Sequence, residues 1–216
     1  NVSHEIRTPL NAVVGFSQLL SMPDDVVSPE EKEDYVKYIQ NNSELLIMLV
    51  NDILSIGDVE RGQFIVNIAD VLCNEVCNKS MRTAETRLTD GVRLYFTSDV
   101  DDNFTIKSDE HRIQQVLVNF LTNACKHTDS GEIHVHCSVT EKPGMITFSV
   151  ADTGSGVPAD EAEHIFERFT KLNAFKQGAG LGLSICKNIA TFLKGDVYLD
   201  TSYTNGARFV FELPIK

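Results

Sequence analysis

This chain is short of positive charge. Against 31 Asp and Glu it sets 19 Lys and Arg, a net charge of -12. So acidic a surface excludes general nucleic-acid binding, which needs cations to neutralise phosphates, and it opposes docking on anionic lipid. It leaves room for a local basic pocket around one nucleotide. Long hydrophobic runs are missing too: stretches such as Leu45 to Val50 fall far short of the roughly 20 residues of a membrane span. No basic-then-apolar leader stands at the start. The opening Asn-Val-Ser-His, without Met, reads as the interior of a longer chain. The five Cys (73, 77, 125, 137, 186) form no CxxC pair and read as reduced thiols packing as small apolar residues. His134 and His136 alternate on a strand and could share a metal, but no third ligand stands at suitable spacing. Internal repeats and low-complexity tracts are also lacking.

What is present is an ordinary globular composition, 42% apolar and 23% charged over 216 residues, enough for one large or two small domains. Val2, Ile6, Leu10, Val13 and Leu20 repeat at a helical period over residues 2–20. After a turn around Pro23, Ser28-Pro29-Glu30-Glu31 caps a second helix, predicted to run to Ile56 with Gly57 ending it. Tyr35, Ile39, Asn42, Leu46, Leu49, Ile53 and Ile56 alternate spacings of four and three, a heptad seam whose polar member would set register. Two helices cannot cover that seam, so a four-helix bundle made by two chains is expected. Residues 57–62 read as a linker, which divides the chain into domains 1–60 and 61–216. The second is mixed α/β: strands over 63–68, 92–98, 104–107, 132–139, 145–151, 196–201 and 207–213; helices over 69–86, 110–127, 160–166 and 181–193; a loop over 167–178.

Two constellations carry chemistry. On the first helix, at about 100° per residue, His4, Thr8, Asn11, Gly15 and Gln18 share one face, while Ile6, Val13 and Leu20 lie opposite. His4 therefore faces solvent, beside Glu5, which could take or orient an imidazole proton. Thr8 adds a hydroxyl one turn on, and Pro9 deprives the Glu5 carbonyl of its helical partner, so a bend is expected there. On the helix from Glu110, a stripe of Arg112, Gln115, Asn119, Asn123 and Lys126 faces away from Ile113, Leu117, Phe120, Leu121 and Ala124. Amide oxygens can ligate Mg²⁺ and Lys126 can pair with phosphate. Asp152-Thr-Gly-Ser-Gly156 follows: Gly154 and Gly156 permit positive φ and close backbone approach, and Asp152 can accept from an exocyclic amine. Gly178-Ala-Gly-Leu-Gly182 then opens a helix, where backbone N–H groups favour phosphate. The spacing is neither a Rossmann fingerprint nor a P-loop.

In this order the residues resemble the catalytic core of bacterial two-component sensor histidine kinases. His4-Glu-Ile-Arg-Thr-Pro-Leu-Asn11 resembles the H box and Asp109–Lys126 the N box. Asp152–Gly156 resembles the G1 box, Phe166-Glu-Arg-Phe169 the F box and Gly178–Leu183 the G2 box. The resemblance covers essentially the whole chain. It implies an α+β protein, with an N-terminal antiparallel helical hairpin that dimerises and carries the phosphotransfer histidine (HisKA type). An ATP-binding α/β sandwich with a mixed sheet, of the gyrase, chaperone and kinase (GHKL) type, would follow. It implies that His4 accepts the γ-phosphoryl group of ATP, that Glu5 is the base, and that Thr8 positions water when a response-regulator receiver is dephosphorylated. Asn123 would hold Mg²⁺, and Asn119 and Lys126 would lie near the phosphates. Asp152 would bind the adenine amino group, beside Gly154 and Gly156. Phe166, Arg168, Lys171, Gly178, Gly180, Leu181, Gly182 and Leu183 would complete the nucleotide site and its lid. The implied partners are a second copy of the chain and a receiver domain, in the cytoplasm, with the parent anchored in the inner membrane by an upstream segment. Two positions depart from the pattern: His127 stands where the family has Tyr or Phe against adenine, and Ala179 replaces a common Thr or Ser. The competing readings are an ATP hydrolase of the same superfamily and a scaffold that binds nucleotide without transfer. The hydrolases hold a Glu where Asn119 stands, and an amide cannot act as general base.

Overall fold

The computed structural model describes residues 2–60, 65–140, 142–168, 170 and 180–216. The chain parts into two compact units near residue 63.

The first unit is two helices, α1 (Val2–Leu20) and α2 (Pro29–Glu60). The start of α2 is a capping box: Ser28 Oγ accepts from the Glu31 N–H at 3.2 Å, and Glu31 Oε2 accepts from the Ser28 N–H at 2.9 Å. Phe16 of α1 packs on Tyr35 and Tyr38 of α2, with centroids 5.5 and 4.9 Å apart. The sequence places the end of α2 at Ile56, but the helix runs through Gly57 to Glu60. One interior glycine costs a helix only about 1 kcal/mol, and no proline follows to stop it. Asn42 sits on the seam half-buried, and its amide donates to the carbonyl of Tyr38 at 2.7 Å, within its own helix. Leu49 is buried, but Val36, Ile47, Val50 and Leu54 of α2 and Leu10 and Val14 of α1 are exposed, Ile47 by 62%.

The second unit is a two-layer sandwich. A short ribbon pairs β1 (Ala69–Leu72) antiparallel with β3 (Thr105–Ser108). The main sheet has five strands: β2 (Val92–Ser98), β4 (Gly131–Val139), β5 (Met145–Asp152), β6 (Asp196–Leu199) and β7 (Arg208–Pro214), in the order β2-β4-β5-β7-β6. β2 and β4 are parallel and the other pairs antiparallel. The layer of α3 (Cys73–Glu85), α4 (Glu110–His127) and α5 (Gly182–Phe192) covers one face. Alternate strand residues, Ile133, Val135, Ile146, Phe148, Val150, Phe211 and Leu213, are buried beneath Ile113, Leu117, Phe120, Leu121, Ile185 and Ile189. All five cysteines are buried, and no disulfide joins them.

Several elements differ from the sequence reading. Residues 65–68 form no strand, while 63 and 64 lie outside the described residues. The helix expected from Ala69 begins at Cys73, because Ala69–Leu72 is drawn into pairing with β3 and buries Val71 there. The helix expected over 160–166 is two 3₁₀ turns, Ala159–Glu161 and His164–Phe166. The strand expected over 196–201 stops at Leu199, where Asp200 turns the chain by accepting from the Ser202 N–H.

Phe148 is fully buried at the centre of the sheet, 6.3 Å from Phe211. Phe148→Ala should destabilise the second unit by about 3–5 kcal/mol. The check is its urea midpoint, which should fall with the slope unchanged.

Candidate functional site

On α1, His4 and Thr8 are exposed. The Thr8 hydroxyl donates to the His4 carbonyl at 3.1 Å, so the two residues are tied one turn apart on one face. Pro9 is buried inside α1, which is unbroken through it. An exposed imidazole is well hydrated and open to a large reaction partner. The Glu5 side chain, Lys171 and Gly178 lie outside what the structure describes.

In the second unit, α4 is set by its cap. Asp109 Oδ1 accepts from the Arg112 N–H at 3.1 Å and Oδ2 from the Asn67 N–H at 2.8 Å. The apolar face is then buried in the core, and Arg112, Gln115, Asn119, Asn123 and Lys126 are half-buried on the other. Arg112 donates to Gln115 Oε1 at 3.0 Å. Asn119 reaches across to α5: its amide donates to the carbonyl of Gly182 at 3.3 Å and lies 3.6 Å from Cys186 Sγ. It thereby fixes the first turn of α5 against α4. A Cβ on Gly182 would come within 3.3 Å of Asn119 Oδ1.

Asp152 ends β5 with only 2% of its surface exposed. Its Oδ1 accepts from the Gly154 N–H at 2.9 Å and from the Ala207 N–H at 3.3 Å; Oδ2 takes part in neither bond. Burial pushes its carboxyl above the ordinary aspartate range, and the two N–H donors pull it partly back. Gly154 is required by space rather than by φ. A Cβ there would overlap the carbonyl oxygen of His127, which already accepts from the Ser155 N–H at 3.1 Å. Gly156 does need positive φ, at +70°.

Phe166 is half-buried, edge-on to Phe209 at 6.3 Å, with the Lys187 ammonium 5.8 Å over its ring. Such an anchor holds the segment leading to residues 167–178. Arg168 is exposed. Gly180 has φ +66°, Leu181 is buried, and α5 starts at Gly182 with no side-chain cap; Leu183 is half-buried. Among the described residues, the first N–H groups of α5 are thus not taken by a capping side chain.

Two residues of this region are absent from the sequence reading. Gly206 lies where a Cβ would overlap the carbonyl oxygen of Asp152, so the β6–β7 turn crosses directly over the 152–156 loop. Its only signal in the sequence is Asn205-Gly206, a turn dipeptide. Thr128, next to His127, is fully buried, and its hydroxyl is the one buried side-chain polar atom without a hydrogen-bond partner among the described residues. Nothing in the sequence marks it. Next to the His127 carbonyl that meets the glycine loop, this orphan hydroxyl leaves a hydrogen bond unmade that a polar ligand could supply. Among the described residues, no group of three or more His, Cys, Asp or Glu is arranged to hold a metal, and no helix is long and apolar enough to cross a membrane.

Residues 108–216 match the family of histidine kinase-, DNA gyrase B-, and HSP90-like ATPases, and residues 1–62 match the His Kinase A (phospho-acceptor) domain. The chain belongs to the histidine kinases. It is the core of such a kinase, an acceptor hairpin followed by an ATPase-type sandwich. The autoinducer 2 sensor kinase/phosphatase LuxQ of Vibrio parahaemolyticus is 33% identical over all of this chain. The chain spans about a quarter of that relative, 26% of its length. Full-length ShkA in complex with AMPPNP is 31% identical, with a TM-score of 0.74 over 98% of this chain and 44% of ShkA. The histidine kinase ThkA, solved in complex with the response regulator protein TrrA, shares the fold at 24% identity, with a TM-score of 0.71 over 100% of this chain and 60% of ThkA.

In this kinase core the raised carboxyl of Asp152 has a stability cost with a definite sign. Its folded value lies above its unfolded one, so the folded state binds the extra proton. Stability is highest below the unfolded value and falls as pH rises through the raised folded value. Asp152→Asn keeps an Oδ1 acceptor and removes the charge. It should flatten that fall and leave the nucleotide-free domain more stable at pH 7, measured by urea unfolding at pH 4 to 8.

Proposed function

We propose that the chain is the catalytic core of a sensor histidine kinase that phosphorylates His4 from Mg-ATP. The phosphoryl group would then pass to an aspartate of a response-regulator receiver, and the same core would remove it again. The observation that carries this reading is the pairing, in one chain, of an exposed histidine tied to Thr8 with a separate unit that holds the buried Asp152 carboxylate. LuxQ, named a sensor kinase/phosphatase, ShkA bound to AMPPNP and ThkA bound to a response regulator support the three activities.

Asp152 Oδ2 accepts from the adenine amino group, and His127 flanks the base. The uncapped start of α5 and Lys126 face phosphate oxygens. Asn123 offers an amide oxygen to Mg²⁺, which when bound neutralises phosphate charge. A neutral His4 attacks the γ-phosphorus with one ring nitrogen. The bond to the β–γ bridging oxygen breaks, ADP leaves, and the proton on the other ring nitrogen passes to Glu5. Thr8 can turn its hydroxyl from the His4 carbonyl to hold a water. The reading places the core in the cytoplasm, where ATP is.

With radiolabelled Mg-ATP the label should appear on protein, be lost in acid and persist in alkali, and vanish in His4→Gln. Acid-stable label retained in His4→Gln would sink the assignment; label in free phosphate alone would favour the hydrolase. Asn123→Asp should abolish labelling from ATP yet leave His4 reactive toward a small phosphodonor. Thr8→Ala should slow regulator dephosphorylation far more than autophosphorylation; equal losses would reduce Thr8 to a helix support.

The exposed apolar stripe of Leu10, Val14, Val36, Ile47, Val50 and Leu54 favours a homodimer through the helical unit. Each such residue left in water forgoes about 1.5–3 kcal/mol. Ile47→Asp combined with Leu54→Asp should turn a dimer into a monomer in sedimentation at micromolar concentration.

A further inference from the structure

A second cluster of titratable side chains lies on the outer face of the sheet, on β2 and β4. The parallel register sets Tyr95 beside His134 and Thr97 beside His136. The Thr97 hydroxyl is 2.6 Å from His134 Nε2 and 2.8 Å from His136 Nδ1, and His136 Nε2 is 3.2 Å from Asp99 Oδ2. A hydroxyl has one proton to donate. It therefore gives to one imidazole and accepts from the other. With one added proton the relay still closes. With two, both rings present N–H to the two lone pairs of the same oxygen, and the Thr97 proton has to turn away from both rings.

The relay reaches the nucleotide loop through named contacts. The ring of Tyr95 stacks on His134, centroids 4.4 Å apart and planes 10° from parallel. Tyr95 donates to Glu132 Oε1 at 3.0 Å. The Glu132 N–H donates to Thr153 Oγ1 at 2.9 Å, and the Thr153 N–H donates to the Glu132 carbonyl at 3.1 Å. Thr153 stands between Asp152 and Gly154. We propose that His134 is a proton-sensing positioning residue, which through Tyr95, Glu132 and Thr153 sets how firmly the 152–156 loop is held for nucleotide. This rests on reading that loop as part of the ATP site.

The surroundings of His134 make a second proton hard to take and consequential once taken. On its own strand it faces Glu132 and His136. From β2 come Tyr95 and Arg93, whose guanidinium lies 4.5 Å over the Tyr95 ring; Asp99 holds the far side of His136. From β7 comes Arg208, held 3.1 Å from Asp200 and over the Tyr203 ring. Its neighbours on β5, Ala151 and Ser149, do not titrate. Burial, then His136, holds His134 below the ordinary histidine value, while Glu132 draws it up. The ring is therefore neutral at pH 7 and gains its proton only below the ordinary histidine range. The new imidazolium attracts the Glu132 carboxylate, which then competes with the Tyr95 hydroxyl bond and loosens the β4 end of the loop.

The test is Mg-ATP affinity by calorimetry on the full chain from pH 5 to 8, with imidazole titration followed by NMR. Wild type should lose affinity by about fivefold, the low end of ordinary coupling between sites, across the His134 titration. His134→Gln should remove that step and keep its pH 7 affinity. Tyr95→Phe, which keeps the stacked ring, should leave the His134 titration in place and cancel its effect on affinity. A fall of the same size in His134→Gln, or a flat wild-type profile, overturns the proposal while the ATP site stands. Absence of nucleotide binding at every pH overturns both.

Discussion

The second unit is organised around one crowded crossing at the C-terminal end of α4. There the His127 carbonyl, Gly154, Gly206 and the Asp152 backbone pass so close that a single Cβ at either glycine would overlap a carbonyl oxygen. The Asp152 carboxylate sits inside this crossing and receives N–H groups from both loops. Taking a carboxylate out of water costs several kcal/mol, and two N–H bonds offset only part of it. The crossing is affordable because four elements share it: α4 ends there, β5 delivers Asp152, the 153–156 loop turns there, and the β6–β7 turn closes over it. Each is held elsewhere by the core of Phe120, Phe148, Phe209 and Phe211. A ligand that donates to Asp152 supplies the bond that the fold itself leaves out.

How much of this the sequence discloses depends on how local the cause is. Helix α4 is legible because its period, its Asp109 cap and its polar stripe all lie within 18 residues. The capping box of α2 is legible for the same reason. β1 is not: Ala69–Leu72 reads as the start of a helix, and only β3, more than 30 residues on, makes it a strand. Gly57 looks like a helix end because a lone glycine usually is one, yet nothing beyond it competes for the chain. Of the candidate site, the residue types and their order are readable. Their contacts are not, since Asn119 meets Gly182 across 63 positions and Asp152 meets Ala207 across 55. Thr128 and Gly206 matter only through such distant neighbours, and the relay through Thr97 exists only in the parallel register of β2 and β4.

The two units divide demands that one domain could not meet together. A phosphoryl acceptor has to be exposed, neutral and reachable by proteins of different shape. His4 is exposed on a helix whose other face is packed. A nucleotide site needs the reverse, low dielectric, close backbone and donors fixed in advance, and the surroundings of Asp152 have that character. The chain as a whole carries a charge of -12, which repels a polyanion. That field is screened over roughly 8–10 Å at physiological salt, so what the phosphates meet is local. On α4 the acid Glu110 lies at the N-terminal end, where the helix dipole favours it, while Lys126 and His127 fall in the last turn.

The same separation explains why the outer face of the sheet is free to act. In a two-layer sandwich only one side of the sheet is spent on packing, and the other is under no demand to be apolar. β4 shows both uses in one strand: Ile133, Val135 and Cys137 face the core, and Glu132, His134 and His136 alternate with them on the outside. Because strand pairing is rigid, a change of charge on the outer residues cannot be absorbed by moving the strand. It has to pass along the side-chain contacts or out through the strand ends. One end of β4 joins the last turn of α4 by way of Thr128, and its first residues hold Thr153. A charge placed on that strand is therefore felt first at the crossing that holds Asp152.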